Sequence, residues 1–254
     1  TADPMGKCAA AAEAALSALE TQAAPPPDRP ARLARPTLVA PGATPRRRLG
    51  SATGRAALLH ALAHIELNAV DLAFDLALRF VDQIEAEGLD PTTFARDWIA
   101  VGAEEAAHFR LLADRLAFYG AAYGDFPAHD GLWSAAERTR QDVLARLAIA
   151  PMVLEARGLD VTPEMAARLE SVGDQDSAAA IRRIYEDEIG HVATGVNWFR
   201  RLAARRRAEP VALFHSLVKI HFDGGLKPPF NGNARSAAGL SPEFYTALVV
   251  DNGA

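Results

Sequence analysis

Apolar positions recur at helical spacing through most of the chain, and no stretch alternates apolar and polar residues as a half-buried strand does. After Ser51 or Thr53, either of which suits a helix cap, Leu59, Leu62, Ala63, Val70, Ala73 and Ala77 make one stripe. They predict a helix from Ala56 to about Glu87, closed by Gly88. Asp90-Pro91-Thr92 restarts the chain with a capping acid and an early proline, and Trp98, Val101, Phe109 and Leu112 mark a second helix from Thr93 to about Tyr119. A third is expected from Trp133 to Arg157, ended by Gly158, with a short connecting helix from Pro163 to Val172. The fourth runs from about Asp176 to Arg207, with Ile181, Ile184, Val192, Gly195, Trp198 and Leu202 inward. Four long amphipathic helices predict an all-α fold, an antiparallel four-helix bundle over residues 51–207.

The ends read differently. Residues 1–50 form an arm: an alanine-rich helix to about Thr21, a stretch from Pro25 to Pro45 too rich in proline to propagate a helix, then Arg46, Arg47 and Arg48. Residues 208–254 form a helical tail expected to pack on the bundle, with helices over Val211–Phe222 and near Pro242–Val250. Pro228-Pro229-Phe230-Asn231 lies between them.

Composition narrows the function. In 254 residues, a hydrophobic share of 50% supplies a core, and 7% aromatics with abundant alanine favour helix. A net charge of -5 gives no global signal for nucleic acid or a membrane surface. The lone Cys8 excludes an intrachain disulfide framework, a four-cysteine zinc site and a rubredoxin-like iron centre. The apolar run Cys8–Leu19 is broken by Glu13 and makes a poor secretory signal, and no uncharged run nears the roughly 18 residues of a membrane span. The expected setting is cytoplasmic, with no membrane partner.

Against this background, acids stand where each core helix should be apolar. Glu66 lies in the first stripe, Glu105 and His108 in the second, Glu155 follows Met152 in the third, and Glu188 and His191 sit in the fourth. Residues three apart share a helix face, so a Glu-x-x-His pair offers a carboxylate and an imidazole to one ion from a rigid backbone. Two such pairs opposite two lone glutamates can serve two metals, whose charge offsets that of the four carboxylates. With 15 Glu and 7 His, chance alone gives about 0.4 Glu-x-x-His matches, so the weight lies in the lone inward acids on the other two helices. Structural ion pairs on half-exposed faces are the plainer reading, disfavoured because buried charges are rarely kept without partners or metal.

The order Glu66, Glu105-Ala-Ala-His108, Glu155, Glu188-Ile-Gly-His191 resembles the ligand pattern of the ferritin-like diiron carboxylate superfamily over about Ser51–Arg207. More narrowly, His60-Ala-Leu-Ala-His64-Ile-Glu66, Glu104-Glu105-Ala-Ala-His108-Phe109, Glu155-Ala-Arg-Gly-Leu-Asp160 and Pro228-Pro229-Phe230-Asn231 are similar to the ferritin-like family called domain of unknown function 455. The tRNA-modifying diiron monooxygenases are a more distant likeness, at superfamily level, which transfers no substrate.

Other residues have two readings. His60 and His64 form a second shell or second metal site, or belong to a polar stripe with Asn68, Asp71 and Asp75 that packs on the arm or tail; packing is the better supported, since the spacing lacks a zinc-protease glutamate. Glu104 and Asp187 are alternative registers toward His108 and His191. Tyr185 is a neighbour of Glu188 or an ordinary core tyrosine, and Pro151 a kink that widens the bundle or a benign one. Arg200, Arg201, Arg205, Arg206 and Arg207 suit a helix C-terminus better than an RNA patch.

The expectation is an oxygen-activating non-haem diiron oxidoreductase of the hydroxylase or monooxygenase type. Glu66, Glu105, His108, Glu155, Glu188 and His191 hold two iron ions, with manganese or a mixed pair equally served by oxygen and nitrogen ligands. Its partners are dioxygen, an electron donor and an organic small molecule or RNA, with a homodimer left open. The rivals are a ferroxidase or iron-storage protein without organic substrate, a tRNA-modifying hydroxylase, and a metal-free helical interaction module.

Overall fold

Helix starts are set by side chains that meet the free N–H groups of the first turn. Ser51 accepts from the Gly54 N–H at 3.1 Å, Asp90 from Thr92 and Thr93 at 3.0 and 3.2 Å, and Asp174 from Ser177 at 3.2 Å. Gly54 admits no side chain, because a Cβ there would stand 1.9 Å from the Arg48 carbonyl oxygen. These caps open the three longest helices of a computed structural model that describes residues 1–16, 26–40, 43–44 and 48–250.

The described residues contain no β-strand, only two isolated bridges, and the fold is all-helical. In chain order the helices are α1 (Pro4–Leu16), α2 (Ala52–Arg79), α3 (Val81–Ala86), α4 (Pro91–Phe118), α5 (Gly131–Arg138) and α6 (Val143–Ile149). After a π-helical segment (Ala150–Glu155) come α7 (Ala156–Ser171), α8 (Gln175–Arg205), α9 (Pro210–His221), α10 (Gly232–Ala237) and α11 (Pro242–Tyr245). The predicted end of the first arm helix near Thr21, and Pro25, Pro45, Arg46 and Arg47, lie outside the described residues.

Two predicted elements are corrected. The helix expected to run unbroken to Glu87 stops at Arg79, where Phe80 turns inward and is fully buried, before α3 resumes. The helix expected from Trp133 to Arg157 is two short helices and a π segment, and neither Gly158 nor Pro163 ends anything: both lie inside α7. Pro163 cannot supply the N–H that would reach the Leu159 carbonyl one turn back. Asn231 of the tail supplies it instead, its side-chain amide donating to Leu159 O at 3.2 Å.

Cross-helix pairs fix the packing. Arg55–Tyr119 at 2.9 Å and His108–Glu66 at 3.2 Å run α2 antiparallel to α4. Arg115–Asp176, His191–Glu104 and Trp198–Asp97, at 3.3, 2.8 and 2.8 Å, run α4 antiparallel to α8. Arg182–Glu170 and the contact of Gly195 with Pro151 run α8 antiparallel to α7 and the π segment. A buried Arg146–Asp75 ion pair ties α6 to α2. Helix α2 is long and apolar enough to cross a membrane, but 67% of that stretch is buried inside the protein.

Two apolar clusters meet along α2 and α4. Leu67, Val70, Ala106 and Phe109 belong to one; Ala73, Leu76, Trp98 and Val101 belong to the other. Glu66 and Glu105 lie on the same helices, on faces that aim at α8 and the π segment.

Candidate metal centre

Six residues on four helical segments make the site. Ligand atoms of Glu66, Glu105, His108 and Glu188 all lie within 4.8 Å of one another. His108 Nδ1 is 3.2 Å from Glu66 Oε2 and 3.4 Å from Glu105 Oε2; His191 Nδ1 is 2.9 Å from Glu105 Oε1 and 3.6 Å from Glu188 Oε2. The two imidazole centroids are 5.6 Å apart, so Glu105 spans both rings, one carboxylate oxygen to each. Glu155, at the end of the π segment, lines one cavity with Glu66 and Glu188.

The outer nitrogens face other acids. His108 Nε2 donates to Asp187 at 3.2 Å and His191 Nε2 to Glu104 at 2.8 Å. Each acid comes from the opposite helix and directly precedes that helix's own inward glutamate. A carboxylate on Nε2 keeps the proton there and frees Nδ1 for the interior, the usual support of a metal-bound histidine. The two residues weighed as alternative registers thus sit behind the histidines. The acidic doublets Glu104-Glu105 and Asp187-Glu188 were the sequence signal for this role.

Without a cation the cluster holds its charge poorly. Burial, then the charge of Glu105, pushes Glu66 well above the usual carboxylate range; burial and Glu188 do the same to Glu155, and burial and Glu105 raise Glu188. Burial opposes the charged form of His108, but Glu105 and Glu66 together outweigh it and push the imidazole up to about 11. Both Glu105 oxygens, Glu155 Oε2, Glu188 Oε2 and His191 Nδ1 are buried and aligned in no hydrogen bond, although His191 Nδ1 stands so near Glu105. Buried polar atoms without partners are costly. Convergent carboxylate oxygens and imidazole nitrogens left in this state fit divalent metal of the iron, manganese or zinc type.

The other candidates lie elsewhere. His60 Nε2 accepts from the Gly124 N–H at 2.9 Å and its ring stacks on Tyr123. Burial and Arg32 hold His64 down at about 4, so it is neutral: Nε2 donates to the His129 carbonyl at 3.2 Å and Nδ1 accepts from the Tyr123 hydroxyl at 2.8 Å. The rest of that stripe meets the arm, with Asp71 bound by Lys7 at 2.8 Å and by Arg32, and Asn68 by Arg32 at 2.6 Å. Tyr185 accepts from the Asn231 amide at 3.0 Å. At the end of α8, Arg201 stacks on Trp198, Arg205 donates to the Gly88 carbonyl and Arg206 pairs with Glu87.

Sequence reasoning missed how the tail docks. Asp160, buried one turn past the π segment, accepts from the Asn231 N–H at 2.9 Å and from Arg235 at 2.7 and 2.8 Å. Two of the quoted segments, Glu155–Asp160 and Pro228–Asn231, are thereby one contact. The family profile described as Protein of unknown function (DUF455) matches residues 1–246. The chain belongs to this family. A relative from Haemophilus influenzae, described as an uncharacterized protein, is 39% identical over 207 residues, covering 82% of this chain and 72% of its own. No solved structure matches the chain.

Proposed function

We propose that this DUF455 protein is a ferritin-like dimetal carboxylate protein, with two iron ions as the best fit, which activates dioxygen to oxidise an organic substrate. The observation that carries the reading is the set of buried carboxylate oxygens and imidazole nitrogens, several of them aligned in no hydrogen bond, where two Glu-x-x-His pairs meet Glu66 and Glu155. The antiparallel run of α2, α4, α8 and the rod of α6, π segment and α7 corresponds to a ferritin-like four-helix bundle. Glu66, Glu105, His108, Glu155, Glu188 and His191 would hold the two ions, with Glu105 facing both imidazoles.

A bound pair of redox-active ions supplies the electrons that make dioxygen competent to attack a C–H bond. The balanced reaction takes R–H, O2, two electrons from an external reductase and two protons to R–OH and water. The chain's own residues orient and shield. Asp187 and Glu104 retain the Nε2 protons, so the proton each imidazolium gives up to ligate a metal would leave from the inward Nδ1. Apolar side chains around the cavity beside Glu66, Glu155 and Glu188 exclude water from the reacting side.

Metal analysis of protein from iron-supplemented cells tests this. Two iron or manganese ions per chain are expected in the wild type and a marked loss in Glu105→Ala and His108→Ala; near-zero metal with an intact fold overturns it. Cage-sized particles that accumulate ferric mineral without consuming an organic substrate would transfer the reading to iron storage.

A further inference from the structure

A cavity of about 250 Å³ opens beside the acid cluster, between α2, the π segment, α7 and the first turns of α8. Its floor carries Glu66, Glu155 and Glu188, two of which hold buried oxygens aligned in no hydrogen bond. Its walls are Leu58, Leu62, Leu72, Leu154, Met165 and Ile184, with further aliphatic side chains beside them. Ile65, 39% exposed, stands at the mouth. No residue of the tail among those described lines it, so the tail braces α7 from behind and leaves the cavity to the core helices.

Charge decides what such a space accepts. Among the described residues, Arg157 is the only lysine or arginine in the lining, and its Nη1 is committed to the carbonyls of Lys227 and Pro229 at 2.8 and 2.9 Å. His64 is tied to Tyr123 and His129. Among the described residues, a phosphate or carboxylate would meet Arg157 as the one Lys or Arg of the wall and would face three acids on the floor. A hydrated ferrous ion would pass mostly aliphatic side chains, with the hydroxyls of Thr44 and Thr162 as the neutral side-chain oxygens among the described lining residues. An apolar cavity of roughly 150 Å³ is known to take benzene, so this one suits a skeleton of about ten carbons.

We propose that the cavity binds an uncharged, apolar organic molecule of about two fused rings in size, and that this molecule class is the substrate presented to the acid cluster. The substrate assignment rests on the oxidoreductase reading above; the binding does not.

The test is fluorescence titration of the full chain with 1-naphthylamine, a two-ring probe that is neutral at pH 7, followed by competition. Saturable binding near one probe per chain is expected, displaced by naphthalene and at least about ten-fold less well by naphthalene-1-sulfonate. Ala61→Trp, which fills the cavity from α2, should weaken probe binding by about ten-fold or more. If that variant fails to fold by circular dichroism, Thr162→Trp at the half-exposed side of α7 takes its place. Non-saturable binding, unchanged affinity in the folded filled variant, or equal competition by the sulfonate overturns the proposal. Metal content of the same preparations is read separately: metal without probe binding sinks the cavity inference alone, and probe binding without metal sinks the dimetal reading alone.

Discussion

At the residue scale, the histidines are held by acids from across the helix pair. Asp187 on α8 steadies His108 on α4, and Glu104 on α4 steadies His191 on α8. Removing such a support usually lowers metal affinity by about 10–100-fold, and Asp187→Ala or Glu104→Ala should fall in that range in chelator competition. Asp187→Asn keeps an acceptor for Nε2 and should lie between Asp187→Ala and wild type; equal affinity in all three would remove the supporting role. These partners were half legible in the sequence, because a spacing of three or four on one helix names a face, whereas which acid reaches a histidine on another helix depends on how the two pack. Asn231 was not legible at all. Its amide serves the Leu159 carbonyl, left over by Pro163, and the Tyr185 hydroxyl, while its Oδ1 caps α10 by accepting from the Ala234 N–H at 3.2 Å. Asn231→Ala should cost about 1–3 kcal/mol in chemical denaturation. In a Pro163→Ala background the restored N–H can serve Leu159 itself, so the cost should shrink; strictly additive changes in the double-mutant cycle would refute the link.

At the scale of elements, long helices with clear caps were legible, and the site followed from them. The third helical stretch was not, since glycine and proline are read as punctuation and here they are not. Gly158 has no neighbour within 4 Å of where a Cβ would stand and is an ordinary helical position, while Pro163 is rescued from a distance. The real discontinuity is the π segment, which no propensity rule announces. Its extra residue per turn shifts the register of Glu155 relative to α6 and seats Pro151 against Gly195 of α8, where an added Cβ would stand 2.5 Å from the proline ring. Gly195→Ala therefore forces the π segment away from α8. A loss of about 1–3 kcal/mol is expected from overpacking. Because Glu155 ends that segment, metal stoichiometry should fall in the folded variant, whereas the same change at Gly158, facing open space, should leave it intact. Equal metal content in the two variants would detach the π segment from the site.

At the scale of the whole molecule, the protein keeps a dense knot of ionisable groups in its interior, where protons and metal ions would compete for the same atoms. Burial and mutual repulsion push Glu66, Glu155 and Glu188 above their ordinary range, which favours the protonated form over the ionised one. The carboxylates overcome the burial of His108 and hold it charged up to about 11, and they hold His191 well above its ordinary value in the same way. Metal ligation requires the opposite state: ionised carboxylates and histidines with a free Nδ1. Each ion bound must therefore expel protons, and uptake must strengthen as pH rises. The linkage has a definite sign, since a site that releases protons on binding loses affinity as pH falls. Calorimetric titration with Mn2+ in two buffers of different ionisation enthalpy should show more than one proton released per ion at neutral pH. Apparent affinity should rise by more than ten-fold per pH unit over the same range. Glu66→Gln, which removes one of the protonatable acids, should release fewer protons as well as bind more weakly. A metal uptake independent of buffer and pH would mean that the ions go elsewhere, to surface carboxylates already ionised.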